Sequence, residues 1–230
     1  SEYNYGGRGA LKFIDGKIET GATYIHEEQT GNKADLYGAD ATLKITDKTT
    51  VKAEYASTRK ESLVDSITGE AYLAEIRHNS EKLDGSLYYR ETDDTFGMSQ
   101  QNTGEIGTRK IGADMRYRIT EKLSLNAQAY RQKNNISDTQ QNLIEAGADY
   151  SAGTYGIRAG MRQAEDTLED GTINRSLQAT LGASKSLFDN RLMLRADREQ
   201  SIGNSNESLD FPTRTTLGAD YMLSNTVTMF

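Results

Sequence analysis

The stretch YGADATLKITDKTTVKAEY, residues 37–55, carries the pattern that decides the fold. Apolar side chains occupy every second position from Tyr37 to Ile45, and polar or small side chains stand between them. After the polar break at Thr46 to Lys48, the same alternation resumes from Val51 to Tyr55. A period of two is that of a β-strand, and a short polar break between two such runs is that of a turn. The stretch therefore predicts a β-hairpin.

The hairpin recurs along the whole chain as a repeating unit. Strands that enter a turn share a Gly-Ala-Asp sequence or a variant of it, at intervals of about 35 residues or twice that. The copies are Tyr37–Asp40, Ile111–Asp114, Ala146–Asp149, Leu181–Ser184 and Leu217–Asp220. The pattern predicts hairpins over about 5–26, 36–58, 70–91, 108–131, 143–162, 176–198 and 214–230. Such an interval also raises the possibility of a solenoid.

The connections between strands argue against the solenoid. Short turns are predicted at Asp15-Gly16, Thr46 to Lys48, Asn79 to Lys82, Thr120 to Lys122, Ser151 to Thr154 and Ser224-Asn225. Long polar stretches are predicted at Glu27 to Asp35, Arg59 to Glu70, Thr92 to Gly107, Arg131 to Asn142, Gln163 to Asn174 and Glu199 to Thr213. Tight turns at one end of the strands and long loops at the other are typical of transmembrane barrels. A solenoid does not need this asymmetry.

Composition narrows the class of protein further. Mean hydropathy is -0.72 and 27% of the residues are charged. No apolar run approaches the roughly 20 residues that a spanning helix needs, which excludes a helical membrane protein. A transmembrane barrel remains compatible with this hydropathy, because only alternate residues of each strand face lipid. The absence of cysteine excludes a disulfide-stapled module and thiolate metal sites, and the net charge of -7 argues against a nucleic-acid surface.

The two faces of the predicted strands differ in charge. The centre of the apolar face carries no ionised group. A Lys or Arg that faces lipid at the bilayer midplane costs about 2–4 kcal/mol, so this segregation favours lipid contact for the apolar face and a polar interior for the other. The predicted interior-lining residues are Lys44, Lys52, Glu54, Glu75, Arg77, Arg90, Asp114, Arg116, Arg118, Asp149, Arg158, Arg195, Asp197 and Asp220.

Tyrosines of the apolar face lie near strand ends in two groups. On the long-loop side they are Tyr24, Tyr37, Tyr55, Tyr72 and Tyr89, and on the tight-turn side they are Tyr117, Tyr150, Tyr155 and Tyr221. An amphipathic ring with a polar tip suits the headgroup region, so the two groups are interpreted as aromatic girdles. The alternative is that tyrosine simply favours strands.

Through the repeated Gly-Ala-Asp strands and the alternating connections, nearly the whole chain resembles the outer-membrane β-barrel class of Gram-negative bacteria. The unit from Leu217 to Thr228 looks like hairpins of large, multistranded barrels of that class. The resemblance implies an all-β fold, an antiparallel up-and-down transmembrane β-barrel in which residues 1–230 form one region of about 14 strands. We expect an outer-membrane location and a larger barrel whose chain continues past Phe230. Because such a barrel has to be exported, we expect Ser1 to result either from processing or from the choice of this stretch of a longer chain.

Few residues suggest chemistry. His26 and His78 lie one per hairpin with no second ligand at a metal spacing, so structural roles are favoured and no metal or cofactor is predicted. No nucleophilic triad can be assembled around either histidine, so no enzyme activity is predicted. Acidic clusters at Glu91 to Asp94 and Glu165 to Asp170 do not match a calcium loop, which favours solvated charge over a cation site.

Two functions therefore stand as hypotheses. The first is a water-filled pore or translocation conduit for hydrophilic solutes or a secreted partner, since the predicted interior carries both signs of charge. The second is a non-conducting anchor or assembly scaffold, in which inward charges pair with one another, such as Asp149 with Arg158 or Asp114 with Arg116. Expected partners are outer-membrane lipid and lipopolysaccharide, together with other domains or subunits of a surface or export assembly; nucleic acid is not expected.

Overall fold

The computed structural model of the chain describes residues 3–29, 32–62, 65–98, 105–206, 211–224 and 227–229. Across these residues the fold is all-β, with fourteen strands in one sheet whose order follows the chain from β1 at one edge to β14 at the other. The strands are β1 Asn4–Phe13, β2 Ile18–Gln29, β3 Asn32–Thr46, β4 Thr49–Ser62, β5 Ser66–Asn79, β6 Leu83–Thr92, β7 Thr108–Arg118, β8 Leu123–Asn134, β9 Thr139–Ala152, β10 Tyr155–Thr167, β11 Ile173–Leu187, β12 Leu192–Asn206, β13 Arg214–Ser224 and β14 Val227–Met229. The predicted antiparallel up-and-down meander is confirmed.

The chain divides into two compact units. Unit 1 comprises Ser1–Ser80, Gly85–Ala113 and Arg131–Thr139. Unit 2 comprises Glu81–Asp84, Asp114–Tyr130 and Gln140–Phe230. In the part of the chain that the structure describes, no helix is long and apolar enough to cross a membrane.

The strands are longer than the alternating runs predicted. Most of the predicted long polar loops are therefore wrong, because their residues lie largely in strands. β2 ends at Gln29 and β3 begins at Asn32, so the predicted loop from Glu27 to Asp35 is mostly paired strand. The same holds for Arg59 to Glu70, Arg131 to Asn142, Gln163 to Asn174 and, up to Asn206, Glu199 to Thr213. The physical reason is that the ladder uses only backbone groups, which continue to pair where both faces have become polar. β6 ends at Thr92 and β7 begins at Thr108, and of the residues between them the structure describes 93–98 and 105–107.

Two tight turns share an unusual backbone conformation. Ile14, Asp15 and Gly16 have φ values of 50°, 52° and 79°, and Phe188, Asp189 and Asn190 have 53°, 52° and 67°. This left-handed region is sterically costly for a branched or aromatic residue. Ile14 and Phe188 nevertheless occupy it with largely exposed side chains. The predicted turn at Ser224-Asn225 falls partly outside the described residues, as does the end of the last hairpin at Phe230.

Candidate functional site

The register places the alternating side chains of neighbouring strands on common faces. On β3, Ala41 pairs with Ala53 of β4, which pairs in turn with Ala74 of β5, and all three are on the apolar face. Thr42 pairs with Lys52, which pairs with Glu75, on the opposite polar face. The apolar side chains of β3, β4 and β5 therefore form a continuous surface rather than a set of separate side chains.

The apolar face is largely uncovered. In unit 1, Leu87 and Ile111 each leave 57% of their surface uncovered, and in unit 2 Leu217 leaves 77%. Polar-face residues range from half-buried, such as Asp40 and Asp149, to exposed, such as Arg158. A water-soluble domain buries its apolar face, so the uncovered apolar face is the unusual feature of this sheet. Contiguous exposed apolar surface on this scale marks contact with lipid or with another protein.

Tyrosines on the apolar face of unit 1 bind carboxylates of the same face. Tyr24 packs against Tyr37 with ring centroids 5.2 Å apart and donates a 2.7 Å hydrogen bond to Asp35. Tyr55 and Tyr72 are register partners, and both donate to Glu70. The carboxylates lie toward the ends of the strands away from the tight turns, so each phenol connects the apolar surface to a charged margin.

The remaining predicted tyrosines also lie on the apolar face. Tyr89 donates to Glu91, whose carboxylate receives Arg109 at 2.7 Å. In unit 2, Tyr150 and Tyr155 lie with ring centroids 6.1 Å apart. Tyr117 and Tyr221 are exposed, and Tyr221 pairs with Leu192 across β12 and β13.

On the polar face of unit 1, an ion pair spans three strands. The guanidinium of Arg8 on β1 passes over β2 and meets Asp40 of β3 through Nη2 at 2.7 Å and Nε at 3.3 Å. The strand between them carries Gly21 at this point. A Cβ on Gly21 would lie 2.5 Å from Asp40 Oδ1 and 2.6 Å from Arg8 Nη2. The glycine is therefore needed for close approach of the two charged groups.

The Gly-Ala-Asp repeat has a related role in unit 2. Arg195 faces Gly218 across the ladder, and its guanidinium reaches Asp220, two residues farther along β13, at 2.6 Å. Arg158 pairs directly with Asp149 at 3.0 Å, which confirms that predicted ion pair. At this copy of the repeat, Gly218 leaves its polar-face position without a side chain two residues before the Asp220 carboxylate, and Arg195 of the neighbouring strand occupies that space.

Unit 2 encloses a concavity of about 560 Å³ on its polar face. Charges of both signs line it: Arg116, Arg158 and Arg195 against Glu145, Asp149 and Asp197. Asn126 also borders it and donates to Asp149 at 2.8 Å. Arg116 donates to the Ser124 hydroxyl at 3.3 Å. The lining is polar and charged, as expected of a surface that contacts water or a hydrophilic solute.

A more enclosed ion-pair cluster lies farther along the same face. Arg162 bonds Glu145 at 2.8 Å and Glu199 at 3.3 Å, and only 16% of its side chain is exposed. The ring of Phe211, from the connection between β12 and β13, covers its guanidinium at 4.7 Å. Gln178 is fully buried beside it and donates to the Phe211 carbonyl. A residue of a connecting loop thus contacts the polar face.

Unit 1 has a larger example of the same feature. Residues 93–98, here called the in-folded segment, lie on the polar face of β3, β4 and β5. Phe96 and Met98 leave only 9% and 4% of their surface exposed and pack against Ala34 and Leu36. Partly buried Ile25, Ala56 and Ala71 complete this apolar cluster.

Backbone geometry and hydrogen bonds hold the in-folded segment in place. The Gly97 N–H donates to Thr58 Oγ1 at 3.2 Å, and Thr58 is fully buried. Gly97 has a φ of 121°, a conformation that favours glycine. Gly69 of β5 gives the segment room, because a Cβ there would lie 2.3 Å from the Phe96 nitrogen. Asp93 exchanges hydrogen bonds with the backbone of Glu70, its N–H donating to the carbonyl and its Oδ2 accepting from the N–H, both at 2.9 Å.

The docking of the in-folded segment is close to energetic balance. Burial of Phe96 and Met98 contributes about 3–6 kcal/mol together. The hydrogen bonds to the strands, including that of Thr95 Oγ1 to the Thr68 carbonyl, add about 2–6 kcal/mol. Ordering six residues of backbone costs about 6–12 kcal/mol. The gains, about 5–12 kcal/mol together, and the cost are therefore of the same size.

The structure distributes the predicted interior-lining residues unevenly. Two ion pairs form between residues of the same strand, Lys52 with Glu54 and Arg77 with Glu75. Strand register, ion pairs or the lining of the concavity place most of the predicted residues on the polar face. They are Lys44, Lys52, Glu54, Glu75, Arg77, Asp149, Arg158, Arg195, Asp197, Asp220 and Arg116. Asp114 and Arg118 share the alternation of Arg116 on β7.

Arg90 lies on the polar face of β6 by its alternation with Tyr89, and it has local partners. Its guanidinium lies 5.0 Å from the centre of the buried Tyr88 ring and 3.8 Å from Glu105 of the β6–β7 connection. Its Nε is buried. Sequence reasoning missed Arg8, Arg162 and the in-folded segment as parts of the polar face. A signal for the segment was present, since Phe96 and Met98 stand as an apolar pair in an otherwise polar connection.

The histidines and acidic clusters have local partners. His26 Nδ1 lies 2.8 Å from Asp35, and its ring stacks on Tyr5 at 4.9 Å; His78 Nδ1 lies 2.9 Å from the Thr49 hydroxyl. Within the described ranges, no group of three or more His, Asp or Glu side chains is placed to share a metal ion. The prediction that the acidic clusters are solvated loop charge is wrong for two of their residues. Glu91 binds Arg109, and Glu165 binds Arg175 at 2.8 Å, and each pair lies within strands.

Asp170 lies in the turn between β10 and β11, beyond the strands. Its Oδ1 accepts a 2.9 Å hydrogen bond from the Thr172 N–H, and this bond to the charged form lowers the pKa of the carboxyl. The carboxyl thus remains ionised and helps to close the turn at neutral pH.

Comparison with models of known protein families finds no match, and no curated protein matches the sequence.

Proposed function

We propose that the chain is part of the wall of a bacterial outer-membrane β-barrel, with its apolar face against lipid and its polar face lining a water-filled conduit for hydrophilic solutes or a secreted partner. In this proposal the chain carries no catalytic chemistry. Its partners are outer-membrane lipid, lipopolysaccharide and other domains or subunits of a surface or export assembly.

The observation that carries the proposal is the exposure of the apolar face. A row of exposed apolar side chains runs without an ionised group from Tyr37 to Ile45 on β3. Those eight residue steps extend about 26 Å at 3.3 Å per step. At a strand tilt of roughly 40°, the row covers about 20 Å along the membrane normal. That height approaches the apolar band of roughly 25 Å that outer-membrane barrels present to lipid.

The bonded tyrosines support the same placement. A phenol ring packs favourably against acyl chains, whereas its hydroxyl needs a polar partner. Tyr24, Tyr55 and Tyr72 each point their hydroxyl to a carboxylate at one margin of the apolar row. Such rings suit the interface between hydrocarbon and headgroups. Strand portions beyond this margin would then project past the hydrocarbon layer.

The polar face supports a conduit through its chemistry. A barrel of this many strands, if closed, encloses more space than its own side chains fill. The concavity of unit 2 is lined by Arg116, Arg158 and Asp197, among others, and water or a polar solute would solvate them. Because both signs of charge are present, the expected ion selectivity is weak.

The alternative is a non-conducting anchor or scaffold, and one observation favours it. Many polar-face charges already satisfy one another, as in the Arg8–Asp40, Arg158–Asp149 and Arg195–Asp220 pairs. A set of paired charges can close an interior as well as line it. Conductance distinguishes the two functions.

The test is single-channel conductance of the intact protein in a planar bilayer, with the double variant Arg116→Gln and Arg118→Gln. Loss of two positive charges from the conduit should shift the ion preference toward cations. The matched control, Arg109→Gln with Arg175→Gln, removes the same charge from the apolar-face margin and should leave the preference unchanged. A folded, inserted protein that never conducts would overturn the conduit and leave the anchor.

A further inference from the structure

The in-folded segment, residues 93–98, occupies space on the polar face of unit 1 that no strand side chain fills. We propose that it is a releasable constriction of the conduit, docked on the strands at Thr58 and Gly69. This inference rests on the proposed function, since a constriction requires a conduit.

The surface beneath the segment shows what it is built to receive. Ala34, Leu36 and Ala56 interrupt a face whose neighbouring positions carry charge. On a face that contacts water, such an apolar patch would be unfavourably exposed. Phe96 and Met98 cover the patch and are themselves covered by it. The strands and the segment are therefore complementary, and the occupant of the patch is this part of the chain itself.

The site for the segment is specific in its polar contacts as well. Thr58 is the only acceptor described for the Gly97 N–H, and its hydroxyl is fully buried beneath the segment. On β5, Gly69 leaves its polar-face position empty, and the Phe96 backbone passes through that space. Neither feature is required for strand pairing. Both are accounted for by docking.

Docking is also poised for release. The free energy gained by burial and hydrogen bonding is of the same size as the cost of ordering the segment, so a local steric perturbation can shift the balance. A single methyl group at position 69 is such a perturbation, because its carbon would lie 2.3 Å from the Phe96 nitrogen and 2.5 Å from its Cα. Neither atom is the end of a flexible side chain. The segment must therefore move if residue 69 carries a Cβ.

The experiment compares Gly69→Ala with Gly38→Ala in the intact protein. Gly38 is also a polar-face strand glycine of unit 1, but its Cβ would meet its nearest atom, Thr23 Cβ, at an ordinary 3.5 Å. These 230 residues contain no cysteine, so Ala34→Cys, which lies beneath the segment with 7% of its surface exposed, supplies in each background a thiol that reports docking and leaves Phe96 and Met98 in place. The two readouts are the modification rate by a water-soluble maleimide and the conductance in a planar bilayer.

Gly69→Ala should raise the modification rate about tenfold, the effect of shifting docking by about 1.4 kcal/mol, and should raise the conductance. Gly38→Ala should change neither. If Gly69→Ala compromises folding, Thr58→Val tests the same site by removing the acceptor of the Gly97 N–H, and both readouts should rise by a smaller factor.

The outcomes separate the inference from the proposed function. Unchanged modification in Gly69→Ala and Thr58→Val would overturn the docking site. Faster modification with unchanged conductance, in a protein that conducts, would overturn the constriction and leave the conduit standing. A wild-type protein that is silent and a Gly69→Ala variant that conducts would support the inference. If no variant conducts although modification responds, the conduit itself is overturned and the constriction with it.

Discussion

A single charge introduced on the apolar face tests whether that face contacts lipid or water. Ala53 lies in the middle of β4, between Ala41 and Ala74 on the neighbouring strands. Short neighbours leave room for a long side chain, so Ala53→Arg introduces no steric clash with its register partners. If the face contacts water, the change should alter the free energy of unfolding by no more than about 0.5 kcal/mol.

If the face contacts lipid, the same substitution is expensive. The first polar position above Ala53 on this face, beyond the Tyr55 ring, is Ser57. Four residue steps separate them, about 13 Å of strand, which is beyond the comfortable reach of a guanidinium. The expected cost is about 2–4 kcal/mol, or a 30- to 700-fold fall in the ratio of folded to unfolded protein.

The assay is reversible denaturant unfolding from phospholipid vesicles, followed by far-UV circular dichroism because the chain has no tryptophan. Thr42→Arg is the control, since Thr42 lies on the polar face between Glu19 and Lys52 and should tolerate the charge. Equal stability of the two arginine variants, within about 0.5 kcal/mol, would refute the assignment of the apolar face to lipid.

Two further predictions concern the polar face. Arg162→Met should destabilise unit 2 by about 2–3 kcal/mol, because it leaves Glu145 without its guanidinium and Glu199 with Arg214 alone. Arg158→Met, whose side chain is 64% exposed, should cost less than about 1 kcal/mol. Similar losses in denaturant titration would contradict this ranking. Gly21→Ala should push apart the Arg8 guanidinium and the Asp40 carboxylate. A double-mutant cycle on that pair should therefore give a smaller coupling energy in the alanine background than in wild type. An unchanged coupling energy would show that the glycine is not required.

The strands and their faces could be predicted from sequence because a period of two is imposed by the backbone itself. The run from Tyr37 to Ile45 identifies both the strand and its apolar face without knowledge of its neighbours. The ion pair of Asp149 with Arg158 was predictable for a related reason, since a two-residue turn fixes which positions of β9 and β10 lie opposite each other.

Strand ends and in-folded residues were not predictable in this way. From Asn32 to Asp35 the alternation of apolar and polar side chains weakens, yet the ladder with β2 continues because backbone pairing does not depend on it. The place of Phe96 depends on a contact with Leu36, sixty residues earlier in the chain, and on a missing side chain at Gly69. Local patterning has no access to such contacts. Near Leu36, apolar residues stand at positions where the alternation otherwise places polar side chains. These residues indicate that another part of the chain covers them.

The measurement that tests the central claim most directly is a nitroxide accessibility scan of β3 in lipid vesicles. Cysteine replaces Ala39, Asp40, Ala41 and Thr42 one at a time, and each spin label is exposed to oxygen, which partitions into lipid, and to a water-soluble nickel complex. The account predicts that positions 39 and 41 relax with oxygen and positions 40 and 42 with nickel. Nickel accessibility at 39 and 41, or the absence of any alternation, would contradict it.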